Sequence, residues 1–278
     1  MKTDKLLNFG SKILRDKKIF SNQIDSEILL SHVLNIPREK LLINDEEIKF
    51  YHEEKFKSFI FRRSKNEPIA YITKKKEFRS IDFFVDKNSL IPRPETELLI
   101  DPIISIFKHK KIFFLDIGIG TGCIIFSILN EMKKSNAIGI DICKKTIFNA
   151  KKNLTKLNLN NRVKLLHKSI CDLPFYKFDL IVSNPPYIVK RDIRGLSEDI
   201  RKYEPRFALD GGNDGLDVIR KVIYKSKYIL KKNGILALEI GFGQHLNVIN
   251  MLNKNKFRIL KIVHDYKRNI RCIFSTLL

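Results

Sequence analysis

Four consecutive residues, Asn184-Pro185-Pro186-Tyr187, carry the most specific chemistry in the chain. They follow an apolar run, Phe178-Asp179-Leu180-Ile181-Val182-Ser183, that reads as a buried parallel strand. Proline has no N–H and a fixed φ, and it pushes the residue before it toward extended geometry. The Pro-Pro pair therefore makes a stiff tip, and no local turn is expected to consume the Pro185 carbonyl. The Asn184 side chain adds a second acceptor, and Tyr187 adds a flat aromatic face. Two acceptors on a rigid tip can hold both hydrogens of a planar –NH2 group. The nitrogen of such a group is a weak nucleophile, because its lone pair is delocalised. With both N–H bonds held, its open face can be aimed at an electrophile. The acceptors then bind more strongly as positive charge develops on the nitrogen. The alternative for these four residues is a plain Pro-Pro turn after a strand.

A second constellation lies upstream. Lys111-Ile112-Phe113-Phe114-Leu115-Asp116 reads as a strand, followed by Ile117-Gly118-Ile119-Gly120-Thr121-Gly122 and an apolar helical run from Cys123. Alternate glycines between strand and helix let a ligand approach the backbone. Their spacing is not the G-x-G-x-x-G of dinucleotide binders, so no pyrophosphate is implied. The next strand, Ala137-Ile138-Gly139-Ile140-Asp141, ends in a carboxylate. An acid at that point accepts hydrogen bonds from ribose hydroxyls, and it can also cap the following helix. A phosphate-free nucleoside beside an –NH2-gripping tip points to S-adenosylmethionine, whose sulfonium carries a transferable methyl group.

Taken together, Asp116 with the glycine loop, Asp141, and Asn184-Pro185-Pro186-Tyr187 resemble the class I S-adenosylmethionine methyltransferases that act on nitrogen. The resemblance is nearest to the family that methylates the glutamine of peptide chain release factors. Leu90-Ile91-Pro92-Arg93-Pro94-Glu95-Thr96-Glu97, Pro68-Ile69-Ala70-Tyr71-Ile72-Thr73, Tyr203-Glu204-Pro205-Arg206-Phe207-Ala208-Leu209, Gly211-Gly212-Asn213-Asp214-Gly215-Leu216 and Leu238-Glu239-Ile240-Gly241 agree with it, in order. The resemblance implies a cofactor site at Asp116, Gly118, Ile119, Gly120, Thr121, Gly122, Asp141, Ser169 and Asn184. It implies catalytic roles for Asn184, Pro185 and Tyr187, and substrate contact by these and Pro186. Departures exist. Lys74 stands where the family has glycine, and Arg79 where it has an aromatic residue. An ungapped count from Asn184 puts Lys168 and Ser169 where the family holds the adenine with an acidic and an aromatic residue. Asp172 takes that role if the loop is shorter.

Length allows one large domain and a small one in 278 residues. No apolar run is long enough to span a membrane, and the start lacks the apolar core of a signal peptide, so a cytoplasmic location is expected. Cys123, Cys143, Cys171 and Cys272 are scattered without C-x-x-C and are expected to be reduced. The histidines show no metal spacing, and no metal is expected. A net charge of +22 has two readings, compositional drift in an AT-rich genome or attraction to an RNA-bearing or acidic partner. Direct nucleic-acid binding therefore stays open. No pattern reports oligomeric state, and a monomer is the default expectation.

The fold expected is a doubly wound α/β sheet, seven-stranded with one reversed strand, plus a small N-terminal helical domain. Residues 1–75 form the helical domain, 76–92 a β-hairpin linker and 93–278 the methyltransferase domain. In the first part, Leu6, Leu7, Phe9, Ile13 and Leu14 mark one amphipathic helix. Ile28, Leu29, Leu30, Val33 and Leu34 mark a second, started by Asp25-Ser26. Ile36-Pro37 stops it or starts another, and a further helix runs from near Glu46 to Arg63. The resemblance gives this helical part a docking role for the release factor; the plainer reading is a stabilising cap. Strands are expected near 111–116, 137–141, 163–167, 179–184, 234–240, 257–263 and 270–275. The last two are joined too tightly for a crossover helix, so they are antiparallel neighbours.

The expected reaction is methyl transfer to the side-chain amide nitrogen of the glutamine in a Gly-Gly-Gln segment. Asn184 and the Pro185 carbonyl would accept its two hydrogens, and Tyr187 would pack on the amide. A ribosomal-protein glutamine or an adenine amine in nucleic acid presents the same two hydrogens and is the alternative substrate. A binding protein for nucleic acid or ribosomes that has lost methyl transfer is the alternative of another class.

Overall fold

The computed structural model describes residues 1–43, 47–173 and 176–278. The chain divides into two compact units, Met1–Lys75 with Ser197–Tyr203, and Lys76–Leu196 with Glu204–Leu278.

The first unit is helical: α1 (Thr3–Asp16), α2 (Asn22–Leu34), α3 (Arg38–Ile43), α4 (Phe50–Arg63) and α5 (Ile69–Thr73). Its apolar centre gathers Leu6, Leu14, Leu29, Leu30, Val33, Phe56 and Ile60. Phe9, placed on the apolar stripe by sequence, is exposed. Asp25 and Ser26 lie inside α2 and do not start it. Asp25 is buried and ion-pairs with Arg63 at 2.6 Å, while Ser26 donates to the Leu7 carbonyl. Both readings of Ile36-Pro37 apply, since α2 ends in a left-handed Asn35 and α3 opens directly after Pro37. The start near Glu46 lies outside the described residues; α4 begins at Phe50. Lys74 caps α5 in the left-handed region, at φ 60°. A side chain with a Cβ is strained there, which glycine avoids. Lys74→Gly should therefore raise stability by up to about 1 kcal/mol, read as a shifted urea midpoint at constant slope.

The second unit opens with a hairpin, β1 (Lys75–Phe78) and β2 (Ile81–Phe84). Its turn residues Arg79 and Ser80 both have positive φ, the geometry a two-residue hairpin turn needs. Arg79 is fixed there by its N–H on Glu97 Oε1 at 3.0 Å and by its guanidinium on Asp101 at 2.6 Å.

Then follow α6 (Ile100–Ile106), β3 (Phe113–Ile117), α7 (Cys123–Glu131), β4 (Asn136–Asp141), α8 (Lys144–Lys156), β5 (Val163–His167) and β6 (Phe178–Ser183). After the short α9 (Glu198–Tyr203) of the first unit come α10 (Asp217–Ile229), β7 (Leu230–Glu239), α11 (His245–Lys254), β8 (Phe257–His264) and β9 (Ile270–Leu277). Among the described residues the sheet has seven strands, in the order β5-β4-β3-β6-β7-β9-β8. β9 alone is reversed, antiparallel to both β7 and β8. Apolar side chains cover both faces. Ile125, Phe126, Ala150 and Leu154 pack on one, and Ile219, Val222, Val248 and Leu252 on the other. No described helix is long and apolar enough to cross a membrane.

Candidate active site

Strand register places the key residues side by side. Ile117 on β3 pairs with Ile140 on β4 and with Ser183 on β6. The next residues, Gly118, Asp141 and Asn184, therefore stand together at the carboxyl edge of the sheet, where doubly wound sheets bind ligands. Ser183 tightens the junction by donating to the Ile117 carbonyl at 2.8 Å.

A cavity of about 240 Å³ opens there. Its wall includes Gly118, Ile119, Gly120, Thr121, Asp141, Ser169, Asn184, Pro185 and Pro186, all expected from sequence. It also includes Ser89, Leu90, Arg93, Thr96, Ile142, Ile170, Phe207 and Lys221. Gly118 and Gly120 adopt positive φ, and a Cβ on Gly118 would meet nothing within 4 Å. The loop thus presents bare backbone to the cavity. Asp141 is held by the N–H groups of Gly120 (3.3 Å) and Cys143 (2.9 Å). Burial raises its carboxyl above the ordinary value, against the pull of those two N–H groups.

Three residues expected at the site are not on this wall. Asp116 is fully buried behind the loop, off the cavity wall. Neither of its oxygens has a hydrogen-bond partner, and burial pushes its carboxyl up to about 7. Gly122 is also off the wall. It turns the chain into α7 at φ 84°, where a Cβ would fall 2.1 Å from the Phe126 ring. The ring of Tyr187 packs on the apolar cluster beneath the sheet, and its hydroxyl donates to Glu239 Oε1 at 3.3 Å. The aromatic side chain on the cavity wall near the tip is instead Phe207. Between Ser169 and Asp172, Ser169 lines the cavity, whereas Asp172 is exposed and does not.

The tip is set by residues far away in sequence. Asn184 donates through Nδ2 to Thr96 Oγ1 at 3.1 Å, which fixes the amide plane and leaves Oδ1 as a free acceptor. Among the described residues no donor meets the Pro185 carbonyl. Glu239 is buried, its Oε2 has no hydrogen-bond partner, and burial drives its carboxyl up to about 7. Arg93 pairs with the buried Glu204, which also accepts the Ile91 N–H at 3.3 Å. That pair pins the Leu90–Arg93 wall.

On the cofactor side, Asn153 of α8 makes three bonds. It accepts from Phe84 N at 2.7 Å and donates to the carbonyls of Phe84 (3.0 Å) and Thr121 (2.9 Å). It is buried, so losing it leaves three backbone groups unpaired. Asn153→Ala should destabilise the fold by about 2 kcal/mol, measured by chemical denaturation. Thr96, Asn153 and Phe207 received no role from sequence, although Thr96 and Phe207 sit in stretches singled out there.

The comparisons agree with this geometry. Residues 5–73 match the PrmC N-terminal domain, and residues 108–241 a methyltransferase domain. The release factor glutamine methyltransferase of Clostridium acetobutylicum is 39% identical over 258 residues, covering 90% of either chain. The chain belongs to the release factor glutamine methyltransferase family. A further relative of that name, from Buchnera aphidicola, is 39% identical over 90% of this chain and 91% of its own. The bifunctional methyltransferase of Rickettsia conorii is 35% identical over 98% of this chain and 55% of its own length. Among solved structures, a methyltransferase from Pyrococcus furiosus (TM-score 0.52, 18% identity, 72% of this chain and 91% of that one) shares the fold. So does the hMettl16 catalytic domain in complex with an RNA hairpin (TM-score 0.58, 15% identity, 83% of each chain).

The residues present fit S-adenosylmethionine. The buried Thr121 hydroxyl on the cavity wall and the Asp116 carboxyl behind it both lack a partner. Asp141 on the wall beside the bare glycine loop suits ribose hydroxyls rather than a phosphate.

Proposed function

We propose that this chain transfers a methyl group from S-adenosylmethionine to N5 of the glutamine in the Gly-Gly-Gln segment of peptide chain release factors. Membership of the release factor glutamine methyltransferase family supports this. The observation that carries it is the pair of free acceptors, Asn184 Oδ1 and the Pro185 carbonyl, at the cavity wall. S-Adenosylmethionine supplies an electrophilic methyl group when bound. Gly118, Gly120, Asp141 and Ser169 would hold it on one side of the cavity. Asn184 and Pro185 accept the two hydrogens of the glutamine amide and orient its nitrogen. As the N–C bond forms, the donor's S–C bond would break and its electron pair would return to sulfur, leaving a neutral thioether. The nitrogen becomes positive and its N–H groups more acidic, so both acceptors would strengthen their hold. One of those protons then leaves to solvent, and no strong base is needed beforehand. Phe207 offers the apolar face beside the amide. The protein would act as a monomer in the cytoplasm.

The test is incubation with a methyl-labelled donor and, separately, a release factor, ribosomal proteins and RNA. Label on the glutamine of Gly-Gly-Gln is the expected result. Label on RNA, or on no substrate, removes the proposal.

A further inference from the structure

Gln244 sits behind the tip and contacts neither the cavity nor α11's own free N–H groups. Its backbone carbonyl starts α11 by accepting from Val248, but its side chain turns back. Oε1 accepts the N–H of Gly241 at 2.9 Å. Nε2 donates to the carbonyl of Tyr187 at 3.0 Å and to that of Gly215 at 3.1 Å. One amide thus joins the ends of β6 and β7 and the glycine-rich loop before α10. Both amide hydrogens are used, so the group has one fixed orientation.

The surroundings leave it no freedom. A Cβ on Gly215 would fall 2.5 Å from the Tyr187 oxygen and 2.7 Å from Gln244 Nε2. The chain after the tip is zipped to the same loop. Ile188 donates to Leu209 and accepts from Gly211, and Lys190 donates to Gly212. From Tyr187 onward the backbone is therefore anchored, and Tyr187's own carbonyl is anchored by Gln244 alone among the described residues. Two residues earlier stands the Pro185 carbonyl, which has no bond of its own and no N–H neighbour to steady it.

We propose that Gln244 is a positioning residue for methyl transfer: by clamping the Tyr187 carbonyl it fixes where the Pro185 carbonyl points. The inference rests on the function proposed above. Thr96 sets one acceptor through the Asn184 side chain, and Gln244 sets the other through the main chain. Losing the clamp lets the tip rotate while the cofactor loop, on β3 and β4, stays as it was. Small displacements of a reacting group lower rates without lowering affinity elsewhere.

The experiment compares Gln244→Ala and Gln244→Glu with the unaltered chain. The glutamate variant keeps the acceptor for Gly241 but sets a carboxylate against two carbonyls. Measured are kcat with a release factor, the dissociation constant for S-adenosylmethionine and the melting temperature. Expected is a fall in kcat of about tenfold in both variants, with cofactor affinity within about twofold. Unchanged kcat in either variant overturns the inference, and so does a loss of cofactor affinity that matches the loss of kcat. If Gln244→Ala does not fold, the glutamate variant decides alone. Failure of the unaltered chain to label glutamine is a separate result that removes the underlying reaction.

Discussion

Asn184→Ala should lower turnover by about 10²-fold or more, while affinity for S-adenosylmethionine changes far less. In the proposed mechanism the residue contributes one of two acceptors for the amide hydrogens, and that bond would strengthen as the nitrogen becomes positive. Interactions that grow toward the transition state act on kcat. Thr96 separates this reading from a purely structural one. Its hydroxyl accepts from Asn184 Nδ2 at 3.1 Å and so holds the amide in its working orientation. Thr96→Val keeps the shape but removes that partner, so it should show a smaller loss in the same parameter. Single-turnover kinetics at saturating cofactor measure both. Normal turnover in Asn184→Ala would end the assignment.

The second large effect is on stability. Glu239 is buried, and its carboxyl moves from an ordinary 4.5 to about 7, chiefly through loss of water, with Thr96, Arg271 and Tyr187 pulling it back down. A carboxyl whose pKa rises on folding binds its proton more tightly in the native state. The resulting stabilisation is complete below 4.5 and is lost as pH rises through about 7. At about 1.4 kcal/mol for each tenfold in proton affinity, the loss reaches about 3 kcal/mol at most. Glu239→Gln carries no titrating proton and escapes it. Asp116, also raised to about 7 by burial, keeps its own share in the variant. Urea unfolding at pH 5 and pH 8 should therefore show wild-type stability falling clearly more than that of Glu239→Gln. Parallel falls would mean that Glu239 is ionised in the native state across this range.

Much of the sheet was legible because its pattern is local. The run 163–167 is β5 to the residue, and the short link between 263 and 270 does force an antiparallel pair. The corners of the candidate site at Gly118, Asp141 and Asn184 were legible for the same reason: each ends a strand or directly follows one. What failed depends on side-chain direction and distant partners. Tyr187 is next to the tip in sequence, yet its hydroxyl goes to Glu239, 52 positions away, and its ring follows. Asn153 reads as an ordinary helical polar residue until Phe84 and Thr121 are brought to it. Thr96 lies 88 positions from the amide it orients. Asp25 looked like a helix start because its partner, Arg63, belongs to another helix.

The helical unit contains Ser197–Tyr203 as well as Met1–Lys75. Tyr203 donates to the Lys65 carbonyl at 2.8 Å, and Asn66 to Glu198 at 2.8 Å, while no residue of α9 is buried. During synthesis the apolar centre of that unit can collapse as soon as its own helices leave the ribosome. Its outer latch must wait until more than a hundred further residues have been made. The first part of the molecule to begin folding is thus among the last to be finished.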